Sequence, residues 1–519
     1  MTFFQNFKIF FLDKNEKIFY NFISKIFQKQ KFNNNSIVLV ENVNNRIHHI
    51  PYIYLIHNLV KKYSSKVCLY SPNQSVEIKR IIYNFLLIIK KPFFTKIISN
   101  LFKSEIVINH VNYVDYKKKN LILKKIKNKN DFYNLKIFNI HFGDLLYDHY
   151  LKKFRVPTVN VQNKHFKKYM ENSLENIFFW YSYFKKNKIK SLIVSHAVYW
   201  NGIPARIAIS KNIPVYALDI NNAFYLSKKI NIPYKKFINY KKNFQKYSNK
   251  DKIKFRKLSD RRLKLRMSGR IGVDMSYSTK SAWRKTNSKK NILTNKKKIK
   301  ILISAHCFFD SPNGMGKNLF VDFYEWIKFL GKISHETDYI WYIKTHPDFL
   351  PGNKEIIKEL TSYFKNIKIL PSHTSHHNII DSGINFVLTV YGTVALEYAY
   401  NNIPVINASI NNPNINYNYN IHPKTIKDYK KIIKNLTNIK IKINKNEILE
   451  NYYLHNLKKE NNIYFNNTSA FNEKFSGIFH SLESDLYQYC MTDFTDKNHN
   501  KIIKMINNFV NSKKYSLEI

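Results

Sequence analysis

Along this chain, short apolar runs alternate with segments whose apolar residues recur every three to four positions. From Ser36 the run SIVLVENV reads as a buried strand, PYIYLIHNLVKKY carries helical spacing, and KVCLYSP is a second apolar run. Together they predict a β-α-β start. The pattern returns where KIFNI (136 to 140) leads into GDLLYDHYLKK, and where SLIVSH (191 to 196) leads through GIPARIAISKN into PVYALDI (214 to 220). It resumes at IKILISAH (299 to 306), DYIWYIKTHP (338 to 347), NIKILPSH (366 to 373), NFVLTVYGT (385 to 393) and IPVINAS (403 to 409). Short buried strands alternating with helices predict parallel sheets covered on both faces, and so an α/β fold. No short repeat period is present, which excludes solenoids and propellers.

Between about 239 and 298 strand character lapses into DRRLKLRMSGR and KTNSKKNILTNKKKIK, a basic, polar stretch of the kind that separates domains. The expected organisation is an N-terminal extension over 1–35, an α/β domain over 36–240, a basic linker over 241–298, a second α/β domain over 299–440 and a mainly helical segment over 441–519.

Composition narrows the class. Hydrophobic residues make up 44% of the 519 and aromatics 16%, far too much for a disordered chain. The formal charge of +51 comes from 86 Lys and Arg against 35 Asp and Glu, yet charged residues total only 23%. The imbalance therefore reflects scarce acids as much as abundant lysine. Lysines run the whole length, the pattern of a solvated basic surface, with attraction to anionic lipid heads, phosphorylated sugars or nucleic acid as the functional alternative. The three cysteines, Cys68, Cys307 and Cys490, show no CxxC spacing; neither a disulfide framework nor a zinc cluster is expected, and a reducing cytoplasm fits. The apolar N-terminus is broken by Lys8, Asp13 and Lys14, and IIYNFLLII at 81 to 89 is too short for a bilayer core of about 30 Å. No transmembrane helix and no signal peptide are expected.

With only 11 glycines, their placement is informative. Gly143, Gly202 and Gly392 stand at strand ends, where open α/β sheets bind ligands. In VYGTVALEYA, Gly392 permits a tight turn, Thr393 is placed to cap the next helix, and Glu397 lies one turn on, able to accept from a ribose or to be an ordinary surface carboxylate. In IKTHPDF, Pro347 stops a strand and fixes His346 beside Thr345 at the sheet's carboxyl edge. There an imidazole either neutralises charge on a departing phosphate or satisfies a loop carbonyl. The histidines of SHTSHHN, His373, His376 and His377, are better explained by loop capping than by metal. Asp144, directly after Gly143 in an acid-poor chain, is the first candidate for a general base, ahead of Asp148; His196, ending SLIVSH, competes with it, with Tyr199 and Arg206 nearby in sequence.

The combination of GDLLYDHYL and SHAVYWNGIPARIA with FDSPNGMGKNLFVDFYEW, KTHPDF and TVYGTVALEYAYNNIPVINAS resembles bacterial capsular and surface-polysaccharide glycosyltransferases of GT-B fold, the HP-motif group that includes Kdo and sialic acid transferases. The resemblance implies two Rossmann-like domains facing each other across a cleft. It implies a nucleotide-sugar donor (CMP-, UDP- or GDP-linked) in the second domain and a glycan or lipid-linked acceptor in the first. His346 and Pro347 match the element that contacts the donor phosphate. Gly392, Thr393 and Glu397 match the turn and acidic residue around the nucleotide, and Asp310, Ser311 and Gly314 are placed to line the same cleft. No DDG or EDG motif marks a base. The resemblance needs no cofactor and no metal, with His and backbone amides stabilising the leaving phosphate, and places the enzyme in the cytoplasm, with peripheral contact to anionic membrane. Sugar-nucleotide epimerisation, phosphopolyol transfer and a non-catalytic basic module binding RNA or glycan are the competing readings; nucleic acid is disfavoured because Arg is rare beside Lys.

Overall fold

The computed structural model describes residues 12–27, 33–43, 48–71, 94–107, 116–218, 223–275, 280–284, 292–294, 297–345, 351–458, 487, 491 and 496–517. The chain forms two compact units. One contains Met1–Tyr147, Asn160–Pro233 and Glu460–Ile519, the other Asp148–Val159 and Tyr234–Lys459.

The first unit is built on six strands: β1 (Asn33–Glu41), β2 (Ser65–Tyr70), β3 (Glu105–Ile106), β6 (Ile189–Val194), β7 (Val215–Leu218) and β8 (Ala223–Leu226), in the order β3-β2-β1-β6-β7-β8. All pairings are parallel except β7 with β8. Strand order reverses between β1 and β6, the switch point of a Rossmann-like sheet. The apolar runs read from sequence form these strands because both faces are covered. The helix His49–Tyr63 buries Ile53, Ile56, Leu59 and Val60, and the same core takes in Ile502, Ile506, Phe509 and Val510 of the C-terminal helix Asp496–Ser512. Past that helix the backbone reaches the free edge of β8, where Tyr225 N–H donates to Tyr515 O at 2.8 Å and Leu517 N–H to Ala223 O at 2.9 Å.

The run KIFNI does not join this sheet. It makes a separate antiparallel ribbon, β4 (Lys136–Ile137) against β5 (Ile140–His141). Phe138 and Asn139 between them hold φ of 54° and 60°, the two left-handed residues of a tight hairpin turn. The helix Gly143–Phe154 follows, as its spacing predicts.

The second unit carries a wholly parallel five-stranded sheet, β11-β10-β9-β12-β13, from β9 (Lys300–Ser304), β10 (Ile340–Lys344), β11 (Ile367–Leu370), β12 (Phe386–Thr389) and β13 (Val405–Asn407). Each lies inside an apolar run identified in the sequence. Its order also reverses once, between β9 and β12, so this unit is Rossmann-like too. The helix Phe323–His335 buries Trp326, Ile327, Leu330 and Ile333 against one face, in a core with Ile301, Ile303 and Ile343. The stretch expected as a basic linker contains the helix Asn249–Met267, capped by Ser248 and seated through Ser259, Leu263 and Met267. Those three buried positions, four apart, occupy one face of an otherwise charged helix.

Candidate functional site

Two cavities open in the second unit near the carboxyl ends of its strands. The larger, about 610 Å³, is lined by Ser304 at the end of β9, Lys344 and Thr345 at the end of β10, and Thr393 and Val394 after β12; the helix Asn249–Met267 and the residues after it add Arg266, Arg270, Lys280 and Trp283. The smaller, about 350 Å³, lies beyond the same turn and is lined by Tyr391, Gly392, Asn414, Asn451 and Tyr452 among others. Arg266, Thr393 and Glu397 face both.

Glu397 joins the two walls. Its Oε1 accepts from Arg266 Nε at 2.6 Å and its Oε2 from Trp283 Nε1 at 3.0 Å. Trp283 is buried, with ring centroids 5.1 Å from His376 and 5.0 Å from His377. Glu397 therefore acts in this structure as the anchor of an arginine and an indole, with both oxygens engaged, rather than as the open ribose acceptor or surface carboxylate of the sequence reading. His376 Nδ1 donates or accepts at Tyr398 OH (2.7 Å), and His377 Nε2–H donates to Met267 O (2.7 Å); the first of them also lines the larger cavity.

Lys344 has the most unusual surroundings. It is the last residue of β10, 2% exposed, and its Nζ makes one hydrogen bond, to Thr345 O at 3.4 Å. Among the described residues no carboxylate pairs with it. Desolvation by burial pushes its pKa down to about 8, so it stays mainly protonated at neutral pH. An ammonium held in a cavity without a counter-ion is under-solvated, and an anion entering that cavity relieves the cost.

At the turn after β12, Thr393 occupies the cap position of the seven-residue helix Val394–Tyr400 but makes no side-chain capping bond, contrary to the sequence expectation. Its φ of −60° is helical, which turns the hydroxyl away from the extended geometry a capping residue adopts. Gly392 is needed for space. A Cβ there would come within 2.9 Å of Thr389 Oγ1, and that hydroxyl accepts from Gly392 N–H at 3.3 Å while meeting His306 Nε2 at 3.0 Å. Val390 N–H also donates to His306 Nε2 at 3.2 Å, so that nitrogen is the acceptor of the neutral ring and Thr389 donates to it. The amides of Ala395, Leu396 and Glu397 reach the carbonyls of residues 392 and 393. Those of Thr393 and Val394 have no partner among the described residues and border the larger cavity.

Thr345 thus shares a cavity with Thr393 and Glu397, and Gly392 borders the adjoining one. His346 and Pro347 lie outside the described residues. Asp310, Ser311 and Gly314 line neither cavity; Ser311 O accepts from Gly314 N–H at 2.9 Å and from Tyr391 OH at 3.4 Å, a closed turn beside the site. Asp148 holds that loop from the helix Gly143–Phe154, accepting from Asn313 N at 3.0 Å and Nδ2 at 2.8 Å.

In the first unit, Asp144 is ill suited to be a base. Arg206 donates to both its oxygens at 2.6 Å, and Leu145 N–H adds a third bond at 2.9 Å. Burial alone would raise its pKa, but the charge and hydrogen bonds of Arg206, with His141 beside it, outweigh that and hold it below the usual value. His196 is exposed, directly after β6. Sequence reasoning missed Lys344, Arg266 and Trp283. Among 86 basic residues no single Lys or Arg stands out, and Trp283 lay in the supposed linker.

No protein-family model and no curated protein matches the chain. Among solved structures it is similar to the beta Kdo 2,4 transferase KpsC of Thermosulfurimonas dismutans, at 13% identity over 51% of this chain and 80% of that one, with a TM-score of 0.32. It is also similar to the UDP-GlcNAc 2-epimerase of Neisseria meningitidis bound to UDP-GlcNAc, at 10% identity over 81% and 98%, TM-score 0.22, and to a glycosyltransferase of Rickettsia africae, at 9% identity over 93% and 100%, TM-score 0.23.

Proposed function

We propose that this protein is a glycosyltransferase that holds the phosphate of a nucleotide-sugar in the larger cavity of its second unit and passes the sugar to a hydroxyl of a surface glycan or lipid-linked acceptor. The observation that carries the reading is Lys344: a buried ammonium with no carboxylate partner among the described residues, sharing a cavity with two uncommitted amides at the carboxyl edge of a Rossmann-like sheet, one strand from its switch point. That combination suits an anion whose charge grows as its bond to the anomeric carbon breaks. Lys344 and the amides of Thr393 and Val394 meet the leaving oxygens, Arg270 and Lys280 add positive potential at the mouth, and Glu397 fixes Arg266 so that its remaining N–H groups are oriented before the donor arrives. His346, matched to the HP element, is proposed to join them.

The test is a thermal-shift and calorimetric screen of CMP, CDP, UDP and GDP against the whole protein, repeated with Lys344→Met. One nucleotide should raise the melting temperature of the wild type and bind Lys344→Met at least tenfold more weakly. Incubating the matching nucleotide-sugars with glycan acceptors and identifying the products separates transfer from epimerisation, since only transfer joins the sugar to the acceptor. Retention of full nucleotide affinity by Lys344→Met defeats the assignment.

A further inference from the structure

The switch point of the second sheet is bridged by a side chain that the proposed nucleotide contacts do not use. β9 and β12 pair as far as Ile303 with Leu388. Beyond that register they part, and His306, two residues past the end of β9, reaches from one strand to the other. Its ring is half-buried, stacked on Phe323 at 4.6 Å and 15° and packed on Tyr391 at 4.8 Å. Its Nε2 accepts from Val390 N–H at 3.2 Å and from the Thr389 hydroxyl at 3.0 Å, and Thr389 Oγ1 in turn accepts from Gly392 N–H at 3.3 Å. Two donors converging on one nitrogen require it to be bare, so the proton of the ring sits on Nδ1. That is the tautomer an imidazole in water adopts less.

The end of β12 is already held on its other side. Thr389 O accepts from Ala408 N–H at 2.8 Å and Val390 O from Asn407 Nδ2 at 3.3 Å. What His306 adds falls on the N–H groups of Val390 and Gly392, which lead into the turn; Thr393 in that turn borders both cavities and Gly392 the smaller. A strand end secured by two carbonyl bonds needs no ring clamped between two aromatics for its own sake, whereas a turn that must meet a ligand in one conformation does. We propose that His306 is the positioning residue of the nucleotide site: through Val390 and the Thr389 hydroxyl it fixes the Gly392–Thr393 turn in the conformation that receives the donor phosphate, before the donor arrives. His306 itself lines neither cavity. The inference rests on the nucleotide reading of the larger cavity and deepens it.

The relay has two arms, and substitutions separate them. Gln brings Oε1 to the place where the imidazole carries Nε2 and accepts both bonds; Met fills similar space and accepts neither. Thr389, 0% exposed, tolerates Val in shape, but the change removes the hydroxyl and with it the arm to Gly392, leaving Val390 on the ring. His306→Met cuts both arms at their common nitrogen. Adding Thr389→Val to it then removes nothing further that is still fixed, so the two losses do not add.

Three measurements on the whole protein test this, the first two without ligand. Nitrogen NMR of protein carrying labelled histidine, with the His306 signals assigned by their loss in His306→Gln, should show the proton on Nδ1 at neutral pH; a proton on Nε2, or on both nitrogens, overturns the relay. Hydrogen exchange at the amides of Ala395, Leu396 and Glu397, which bond the carbonyls of the turn, should be at least tenfold faster in His306→Met and about equal to wild type in His306→Gln. Wild-type exchange in His306→Met overturns the positioning role. The third measurement is calorimetry with whichever of CMP, CDP, UDP and GDP binds the wild type. Affinity should fall at least tenfold in His306→Met, less in Thr389→Val and no further in the double variant, and His306→Gln should restore it to within about threefold. Full affinity in His306→Met, no rescue by Gln, or losses that multiply in the double variant each refute the assignment. Should His306→Met fail to fold, Thr389→Val decides, and wild-type exchange and affinity in that variant overturn the relay. A wild type that binds none of the four nucleotides defeats the nucleotide reading, while the NMR and exchange arms still decide whether His306 holds the turn.

Discussion

Lys344→Met is the most informative single perturbation, because it separates what the lysine does for stability from what it does for binding. Methionine keeps the unbranched stem and its packing at the end of β10 while removing the charge. Burial lowers the pKa of Lys344 from 10.5 to about 8. At about 1.4 kcal/mol per tenfold change in proton affinity, keeping the ammonium charged at neutral pH forfeits about 3 kcal/mol of folding free energy. The sign follows from where the proton sits. Between about pH 8 and 10.5 the unfolded chain holds more protons than the native one, so native stability rises with pH across that window, and the full cost is present below it. Lys344→Met should therefore stabilise the second unit by up to about 3 kcal/mol, worth roughly 6–12 °C in melting temperature for a unit of this size, and should flatten the rise above pH 8. Nucleotide binding should weaken at least tenfold at pH 7, and the wild-type affinity should itself decline above pH 8 as the lysine loses its proton. Calorimetry of both proteins from pH 7 to 10 measures all of this. A variant that melts no higher than the wild type, or whose nucleotide affinity is undiminished, refutes the picture of an unpartnered cation awaiting an anion.

Three further outcomes are expected. Arg266→Ala leaves Glu397, 4% exposed, with its indole donor but no cation, and should destabilise by about 3 kcal/mol; Arg266→Ala with Glu397→Gln should recover part of that loss in denaturant titrations. Gly392→Ala places a methyl 2.9 Å from Thr389 Oγ1, which must swing away from His306, so a loss of about 1–3 kcal/mol and weaker nucleotide binding should appear together. Glu41, raised by burial to about 7 from 4.5, holds its proton more tightly in the native state. Stability of the first unit should therefore fall by up to about 3 kcal/mol as pH rises from about 4.5 through 7, and Glu41→Gln should abolish that slope in urea melts.

The parallel strands were readable because burial on both faces makes them near-continuous apolar runs, and β9 to β13 all fall inside such runs. Two kinds of element escaped. The ribbon β4-β5 has the composition of a sheet strand, and only the paired left-handed residues Phe138 and Asn139, invisible without glycine at either position, turn it back on itself. The helix Asn249–Met267 touches its core through three residues, one of them a serine, so its hydropathy is that of a linker. In the site, strand ends flagged by glycine led to Thr345, Gly392 and Thr393. They did not lead to Lys344, which nothing in a lysine-rich chain distinguishes until its burial is seen. The buried carboxylate of the first unit, Glu41, could have been found. The scarcity of acids that drew attention to Asp144 applies equally to a glutamate ending the run SIVLVE.

The helix Asp496–Ser512, together with Tyr487 and Leu517, completes a core whose other buried members lie before Pro233, so the chain must finish an entire Rossmann-like unit before it can close the one it began. At ordinary synthesis rates of about 5–20 residues per second, the apolar bed for Ile502, Ile506 and Phe509 stays bare for roughly 10–50 s on the ribosome. A chain cut short between 459 and 496 would emerge with its later-encoded sheet mature and its earlier one sticky, a half-native product that quality control would meet as a client.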